Sequence, residues 1–324
     1  MYTYKEIVEK VRDIFNQESF TGEPQELYAP IAYTLSLGGK RIRPVLLLAA
    51  VDLFGGDIAK AKDAAIGIEV FHNFTLLHDD LMDKSPLRRG HPTVYRKWDE
   101  NTAILSGDAM NILAWRYFLR QPHPCMHRIL QTFEQTSMQI CEGQQYDMNF
   151  ERRDDVTIAE YMEMIRLKTA VLLAGALKIG ALYAEAPDND TERLYQFGID
   201  IGLAFQLRDD LLDAYGDVAT FGKQTGTDIK DNKKTYLYLR ALEKGDPAQC
   251  QRLRTLFATN PENPDSKIGE VLDIYRQLDI RHDVETAITD LHAAADKAIE
   301  AIARPSENKQ ALRNMAAKLL DRNV

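Results

Sequence analysis

Residues 77–83 read Leu-His-Asp-Asp-Leu-Met-Asp and residues 207–213 read Leu-Arg-Asp-Asp-Leu-Leu-Asp. Both contain Asp-Asp-x-x-Asp, and both fall near the end of a long stretch with helical periodicity. On a helix, residues four apart share a face. Asp79 and Asp83 therefore point one way, as do Asp209 and Asp213, while Asp80 and Asp210 flank them. Two carboxylates about 4 Å apart repel by roughly 4 kcal/mol at an effective dielectric near 20. Solvent on an exposed face can screen such a cluster; elsewhere cations must neutralise it. Both motifs are embedded in apolar sequence, FTLLHDDLM and FQLRDDLL, which a solvated acidic face seldom shows twice. The pattern points to a pair of oxygen-rich sites for Mg²⁺, an ion held by one or two carboxylates plus waters and substrate phosphates.

Groups suited to phosphate accompany the acids. Gly38-Gly39-Lys40-Arg41-Ile42-Arg43-Pro44 sets a glycine pair before a basic turn that opens an apolar helix, and Lys40 and Arg43 can converge on one anion. Arg88 and Arg89 follow the first acidic cluster in a polar loop. Lys223, Asp228 and Lys233 lie in the glycine-containing segment 221–235. Taken singly, any of these basic pairs reads as solvated surface. Lys168, beside Thr169, does not, because its helix is largely apolar and an unpaired buried lysine is costly. Gly222-Lys223 is not a P-loop, since the glycine spacing is wrong and Gln224 replaces Ser/Thr. No GxGxxG, HExxH or GxSxG occurs.

The elements that must carry these residues read as helices. The prolines leave long gaps, each filled with good helix formers. Residues 157–185 open with a Thr and an acid three positions on, a capping box, and Ile158, Tyr161, Ile165, Leu172 and Leu173 then follow a near-3.6 period. Strand alternation and hairpin signals are weak. The predicted helices are 3–17, 24–37, 42–54, 58–84, 98–119, 124–150, 157–185, 190–217, 232–244, 247–258, 267–279, 280–303 and 307–321. The segments 85–97, 216–232 and 259–266 read as loops. No linker separates two composition classes, so one all-α domain over 1–324 is expected.

Composition narrows the classes. The 324 residues carry 49 acidic against 40 basic side chains, a net charge of −9. That argues against a general nucleic-acid binder, which carries a basic surplus. No apolar run approaches the roughly 18 residues of a membrane span, and the N-terminus lacks a signal-peptide core. Cys125, Cys141 and Cys250 form neither a CxxC pair nor a zinc spacing. They read as reduced thiols of a cytoplasmic protein.

Taken together, GGKRIRP, FHNFTLLHDDLMD, RRGHPTVYRKW, ENTAILSGDAM, LKT, FQLRDDLLD and DIKDNKKT, in this order and at this spacing, resemble the trans-isoprenyl diphosphate synthases, the farnesyl and geranylgeranyl diphosphate synthase group. The resemblance runs from residue 38 to residue 235; the C-terminal ninety residues match only in helical character. It implies a single-domain all-α bundle with a deep cavity, the two Asp motifs facing each other at its mouth, and a homodimer. It implies that Asp79, Asp80 and Asp83 bind two Mg²⁺ and that Asp209 is the main ligand of a third, supported by Asp210, Asp213 and Asp228. Lys40, Arg43, His72 and Arg89 resemble the isopentenyl diphosphate site. Arg88, Lys168, Lys223 and Lys233 resemble the clamp on the allylic diphosphate. Thr169 and Gln206 would flank the developing carbocation. Phe71 and Phe74, followed by small Thr75, resemble the floor that limits chain length, in a pattern similar to enzymes giving C20, with C15 as competitor; the two rings read equally as core packing. A class I terpene cyclase shares the fold and the first motif, but would have no use for Lys40, Arg43 and Arg89. A catalytically inactive regulatory subunit would be expected to have lost motif residues that are all present here.

Overall fold

Thr3 and Thr157 open their helices in the same way. Each side-chain hydroxyl accepts the backbone N–H three residues on, while Glu6 or Glu160 reaches back to the capping residue's own N–H. Two otherwise orphaned donors are satisfied at each end. In the first helix, α1 (Tyr4–Asn16), Ile7, Val11 and Phe15 recur every fourth residue and are the buried face. The computed structural model describes residues 1–216, 225–261 and 263–320.

Helices make up most of the described residues. After α1 come α2 (Gln25–Ser36), α3 (Ile42–Leu53), α4 (Lys62–Met82), α5 (Val94–Lys97), α6 (Glu100–Phe118), α7 (Met126–Phe150), α8 (Ile158–Ile165), α9 (Val171–Tyr183) and α10 (Asp188–Tyr215). The rest are α11 (Thr227–Lys230), α12 (Tyr236–Lys244), α13 (Pro247–Phe257), α14 (Asp265–Gln277), α15 (Ile280–Glu300) and α16 (Ser306–Leu320). The chain divides into two compact units. One holds residues 1–132, 176–191 and 304–312; the other holds 133–175, 192–303 and 313 onward. In the first unit α4 packs along α6 and α3. From Pro44 to Leu53 every residue of α3 is buried, as expected for a helix apolar all round. In the second unit α12 packs against α8, α13 and α15.

Three departures from the sequence reading matter for the site. The helix expected over 157–185 is interrupted by a π turn at Arg166–Ala170. The loop at 85–97 contains a two-stranded antiparallel hairpin, Leu87–Arg88 with His91–Pro92. Its turn residues Arg89 and Gly90 both have positive φ, the demand of a tight two-residue hairpin turn. The helix expected from 232 begins at Tyr236, which leaves Lys233 and Lys234 in the preceding turn.

Candidate active site

The end of α4 and the hairpin build one cluster in the first unit. Asp79 and Asp83 share a helix face as the i, i+4 spacing requires, and the Asp83 N–H donates to the Asp79 carbonyl at 2.8 Å. Asp79 is partly exposed and Asp83 exposed, whereas Asp80 turns inward and is buried. Arg88 meets it there: its Nε and a terminal nitrogen donate to Asp80 Oδ1 at 3.0 and 2.5 Å. Burial raises the Asp80 pKa, against the lowering effect of Arg88. The hairpin sends the adjacent Arg89 elsewhere. Its guanidinium donates to the Gly38 carbonyl and lies where a Cβ on Gly39 would stand, 2.8 Å from Cζ. Gly39, at φ +129°, thus provides both a conformation and a space that a side chain would deny.

Arg43, His72 and Glu69 gather on the same side. Burial lowers Arg43 to about 10, with Glu69 opposing. Burial first, then the charges of Arg43, Arg89 and Arg88, hold His72 well below its ordinary value. Glu69 is buried, accepts from Asn73 Nδ2 at 3.2 Å and is raised by burial. The Arg43 Nε and Glu69 Oε2 are buried atoms with no hydrogen-bond partner among the described residues. A bound anion would give the arginine nitrogen the acceptor it lacks. Lys40 is exposed at the mouth of this loop. Phe71 is fully buried and Phe74 half-buried on α4. Their ring centroids lie 5.4 Å apart, and Phe74 lies 4.9 Å from His78. The Thr75 hydroxyl is turned back onto the His72 carbonyl.

The second unit holds the other half of the expected residues. A pocket of about 120 Å³ is lined by Lys168, Thr169, Gln206, Asp210, Asp228 and Lys233, among others. The π turn, a feature that commonly marks functional positions, carries Lys168 and Thr169. It packs against α7 at Gly143, where an added Cβ would come within 2.4 Å of the Lys168 nitrogen. Lys168 is paired: its Nζ donates to Asp147 Oδ2 on α7 at 2.6 Å. The Thr169 hydroxyl donates to Gln206 Oε1 at 3.1 Å. Gln206 Nε2 donates to Asp210 Oδ1 at 3.0 Å, and the buried Tyr161 hydroxyl donates to Asp210 Oδ2.

Asp213 accepts the backbone N–H of Thr227 at 3.2 Å and of Asp228 at 2.9 Å, so one carboxylate of the motif caps α11 and brings Asp228 beside the others. Burial raises Asp228 to about 8, reinforced by the charges of Asp213 and Asp210. Burial also raises Asp210 to about 7. Lys234 donates to the carbonyls of Phe150 and Arg153 at the end of α7. Lys267, buried, holds the Asn232 side chain and the Lys230 and Thr259 carbonyls. Lys223 lies outside the described residues.

Each half therefore repeats one design: the outer acids of Asp-Asp-x-x-Asp reach solvent, with Asp83 exposed and Asp79, Asp209 and Asp213 partly so, and the middle acid is buried and hydrogen-bonded within the protein. The donors are all carboxylate oxygens, the set preferred by a hard cation. Burial and mutual repulsion raise Asp210 and Asp228, and a bound cation would relieve that repulsion. Among the described residues no three acids converge to hold an ion by themselves, so the donor chemistry fits Mg²⁺ as an ion that completes its shell with waters and substrate phosphates. Sequence reasoning missed Asp147, Tyr161, Glu69, Lys234 and Lys267. Only the need of Lys168 for a partner hinted at Asp147, and Tyr161 was hidden in the apolar stripe of its helix.

The comparisons agree with this geometry. The chain is 41% identical over 224 residues to the geranylgeranyl diphosphate synthase of Methanosarcina mazei, covering 68% of this chain and 69% of that one. It is 40% identical over 255 residues to the geranylfarnesyl diphosphate synthase of Natronomonas pharaonis, covering 73% and 75%. A crystal structure of a geranylgeranyl pyrophosphate synthase superposes with a TM-score of 0.95 at 42% identity, covering 100% of both chains. A profile described as polyprenyl synthetase matches residues 24–275, and with both acidic motifs and both basic clusters inside that span the chain belongs to the polyprenyl synthetase family.

Proposed function

We propose that this protein is a Mg²⁺-dependent head-to-tail prenyltransferase. It condenses isopentenyl diphosphate with dimethylallyl, geranyl or farnesyl diphosphate to a short all-trans product, C20 favoured. The observation that carries the reading is the pocket in which Lys168, Thr169 and Gln206 sit beside the second acidic motif. Cation-binding and cation-stabilising groups are there within one cluster.

Three Mg²⁺, held by Asp79, Asp80 and Asp83 and by Asp209 with Asp210, Asp213 and Asp228 in support, would supply positive charge to the allylic diphosphate. Arg88, Lys168, Lys223 and Lys233 share that role from the protein. The allylic C–O bond breaks and the diphosphate leaves with the electron pair. Placing fixed charge where charge develops is usually the largest catalytic effect. The oxygens of Thr169 and Gln206 face the cation. Lys40, Arg43, His72 and Arg89 hold the diphosphate of isopentenyl diphosphate, so that its double bond attacks and a C–C bond forms. No protein base stands out for the final proton, which passes to the released diphosphate. Phe74, with Phe71 behind it, limits the tail.

The single domain over 1–324 belongs to this proposal, as do a cytoplasmic location and a homodimer. The three cysteines remain unpaired thiols, which suits a reducing compartment, and no described helix is long and apolar enough to cross a membrane. Leu105, Ile112 and Leu119 follow one another at seven-residue spacing on α6 and its end, each about three-fifths exposed. A repeating apolar stripe of this kind suits an antiparallel or parallel copy of itself, and sedimentation of Ile112→Glu at half the wild-type mass would support that partner.

Product analysis with each allylic starter tests the activity. A linear prenyl diphosphate formed with Mg²⁺ and abolished by a chelator is expected. A cyclic hydrocarbon would indicate a cyclase, and absence of turnover an inactive subunit.

A further inference from the structure

Four side chains in the second unit form a hydrogen-bonded chain with a single direction. Thr169 Oγ1 donates to Gln206 Oε1 at 3.1 Å, Gln206 Nε2 donates to Asp210 Oδ1 at 3.0 Å, and Tyr161 donates to Asp210 Oδ2. Asp210 is 4% exposed, and both its oxygens are engaged. The Tyr161 hydroxyl is the donor to Oδ2, and in its ionised form Asp210 accepts at both oxygens. It therefore fixes which end of the Gln206 amide faces it, because the flipped amide would set oxygen against oxygen. With Nε2 held by Asp210, Oε1 must face the pocket. Every hydrogen in the chain then points towards Asp210, and the free lone pairs of Gln206 and Thr169 face the space they line.

We infer that Asp210 is a positioning residue: it locks the Gln206 amide, with Tyr161 bracing its other oxygen, so that the site presents oxygens and not an NH₂ group to the allylic cation. This deepens the prenyltransferase reading and rests on it. The spacing is built into α10, since residues four apart on a helix are neighbours and Gln–Asp pairs at that spacing hydrogen-bond. The middle acid of the second motif then has two duties, the support it lends the cation site and the hold it keeps on the amide.

The test is a set of variants of the full-length protein assayed with Mg²⁺, geranyl diphosphate and isopentenyl diphosphate. Asp210→Leu fills the space but releases the amide, and is expected to lower kcat about 100-fold at saturating Mg²⁺ with the allylic KM unchanged. Asp210→Asn keeps an oxygen for Gln206 and is expected, at saturating Mg²⁺, to lose at least about ten-fold less kcat than Asp210→Leu. The double variant Gln206→Leu/Asp210→Leu is expected to be no slower than Gln206→Leu alone, since coupled residues are non-additive. If Asp210→Leu does not fold, Asp210→Ser, too short to reach Gln206, takes its place. Losses that multiply in the double variant would overturn the inference. So would equal losses in the Asn and Leu variants accompanied by a raised Mg²⁺ requirement. A wild-type protein without prenyl transfer would instead remove the functional reading itself.

Discussion

Arg88 holds Asp80 more closely than Asp79. Two of its nitrogens converge on Asp80 Oδ1 at 3.0 and 2.5 Å, while its approach to Asp79 Oδ2 is 3.9 Å. The Asp80 side chain is 7% exposed and that of Arg88 30%, so the pair is largely withdrawn from water. Removing one member of a buried pair leaves an uncompensated charge. Arg88→Leu is expected to lower stability by about 3 kcal/mol in urea unfolding. Asp80→Asn/Arg88→Leu is expected to recover most of that loss and none of the activity. An Arg88→Leu variant as stable as the wild type would show that the pair contributes only to chemistry.

Gly143 sets the position of the π turn. Alanine for glycine inside a helix ordinarily stabilises by about 1 kcal/mol. Here the new methyl meets the Lys168 nitrogen at 2.4 Å and Leu167 backbone carbon at 2.8 Å. Gly143→Ala is expected to displace Lys168 and Thr169 and to lower kcat about 100-fold. Steady-state kinetics alongside thermal unfolding checks this, and a more stable, fully active variant would exclude the assignment.

Phe74 is the half-buried ring of the Phe71–Phe74 pair, so trimming it opens space without emptying the core behind. Phe74→Ala is expected to shift the product to longer chains on reversed-phase chromatography. An unchanged product would show that the ring packs the core only.

His72 links stability to pH. Its imidazole is half-buried beside the charges of Arg43, Arg89 and Arg88, with Glu69 facing the same cluster, and its pKa in the folded protein lies well below the ordinary value. The unfolded chain takes up that proton near pH 6.5, so the unfolded state binds more protons and stability falls as pH drops below about 6.5. Above that value the residue makes no pH-dependent contribution. His72→Gln is expected to flatten this part of the profile in urea unfolding at a series of pH values. An identical slope in both proteins would place the acid sensitivity elsewhere.

The parts of the site that were legible in the sequence are those set by local geometry. Two acids four apart on one face, the flanking place of the acid between them and the capping box at Thr157 all follow from helical repeat and local residue type; that the flanking acid turns inward does not. What was not legible depends on distant contacts. The π turn leaves no mark on Arg166–Ala170, since it depends on space left by Gly143 on α7. Lys168 needed a partner, but nothing in its own helix names Asp147. Tyr161 has the periodicity of a core residue, and only the carboxylate opposite its hydroxyl gives it another role. The hairpin at 87–92 is too short for alternation to register, although Gly90 and the need to separate Arg88 from Arg89 foreshadow it.

That hairpin has a further consequence. Arg88 ends the strand and Arg89 opens the turn, so neighbouring arginines reach different addresses: Arg88 reaches the acidic motif and Arg89 the glycine loop. What assigns each arginine its address is its side of the bend more than its identity. One residue inserted between them would pull the second guanidinium away from the glycine loop while leaving the local composition of charge untouched.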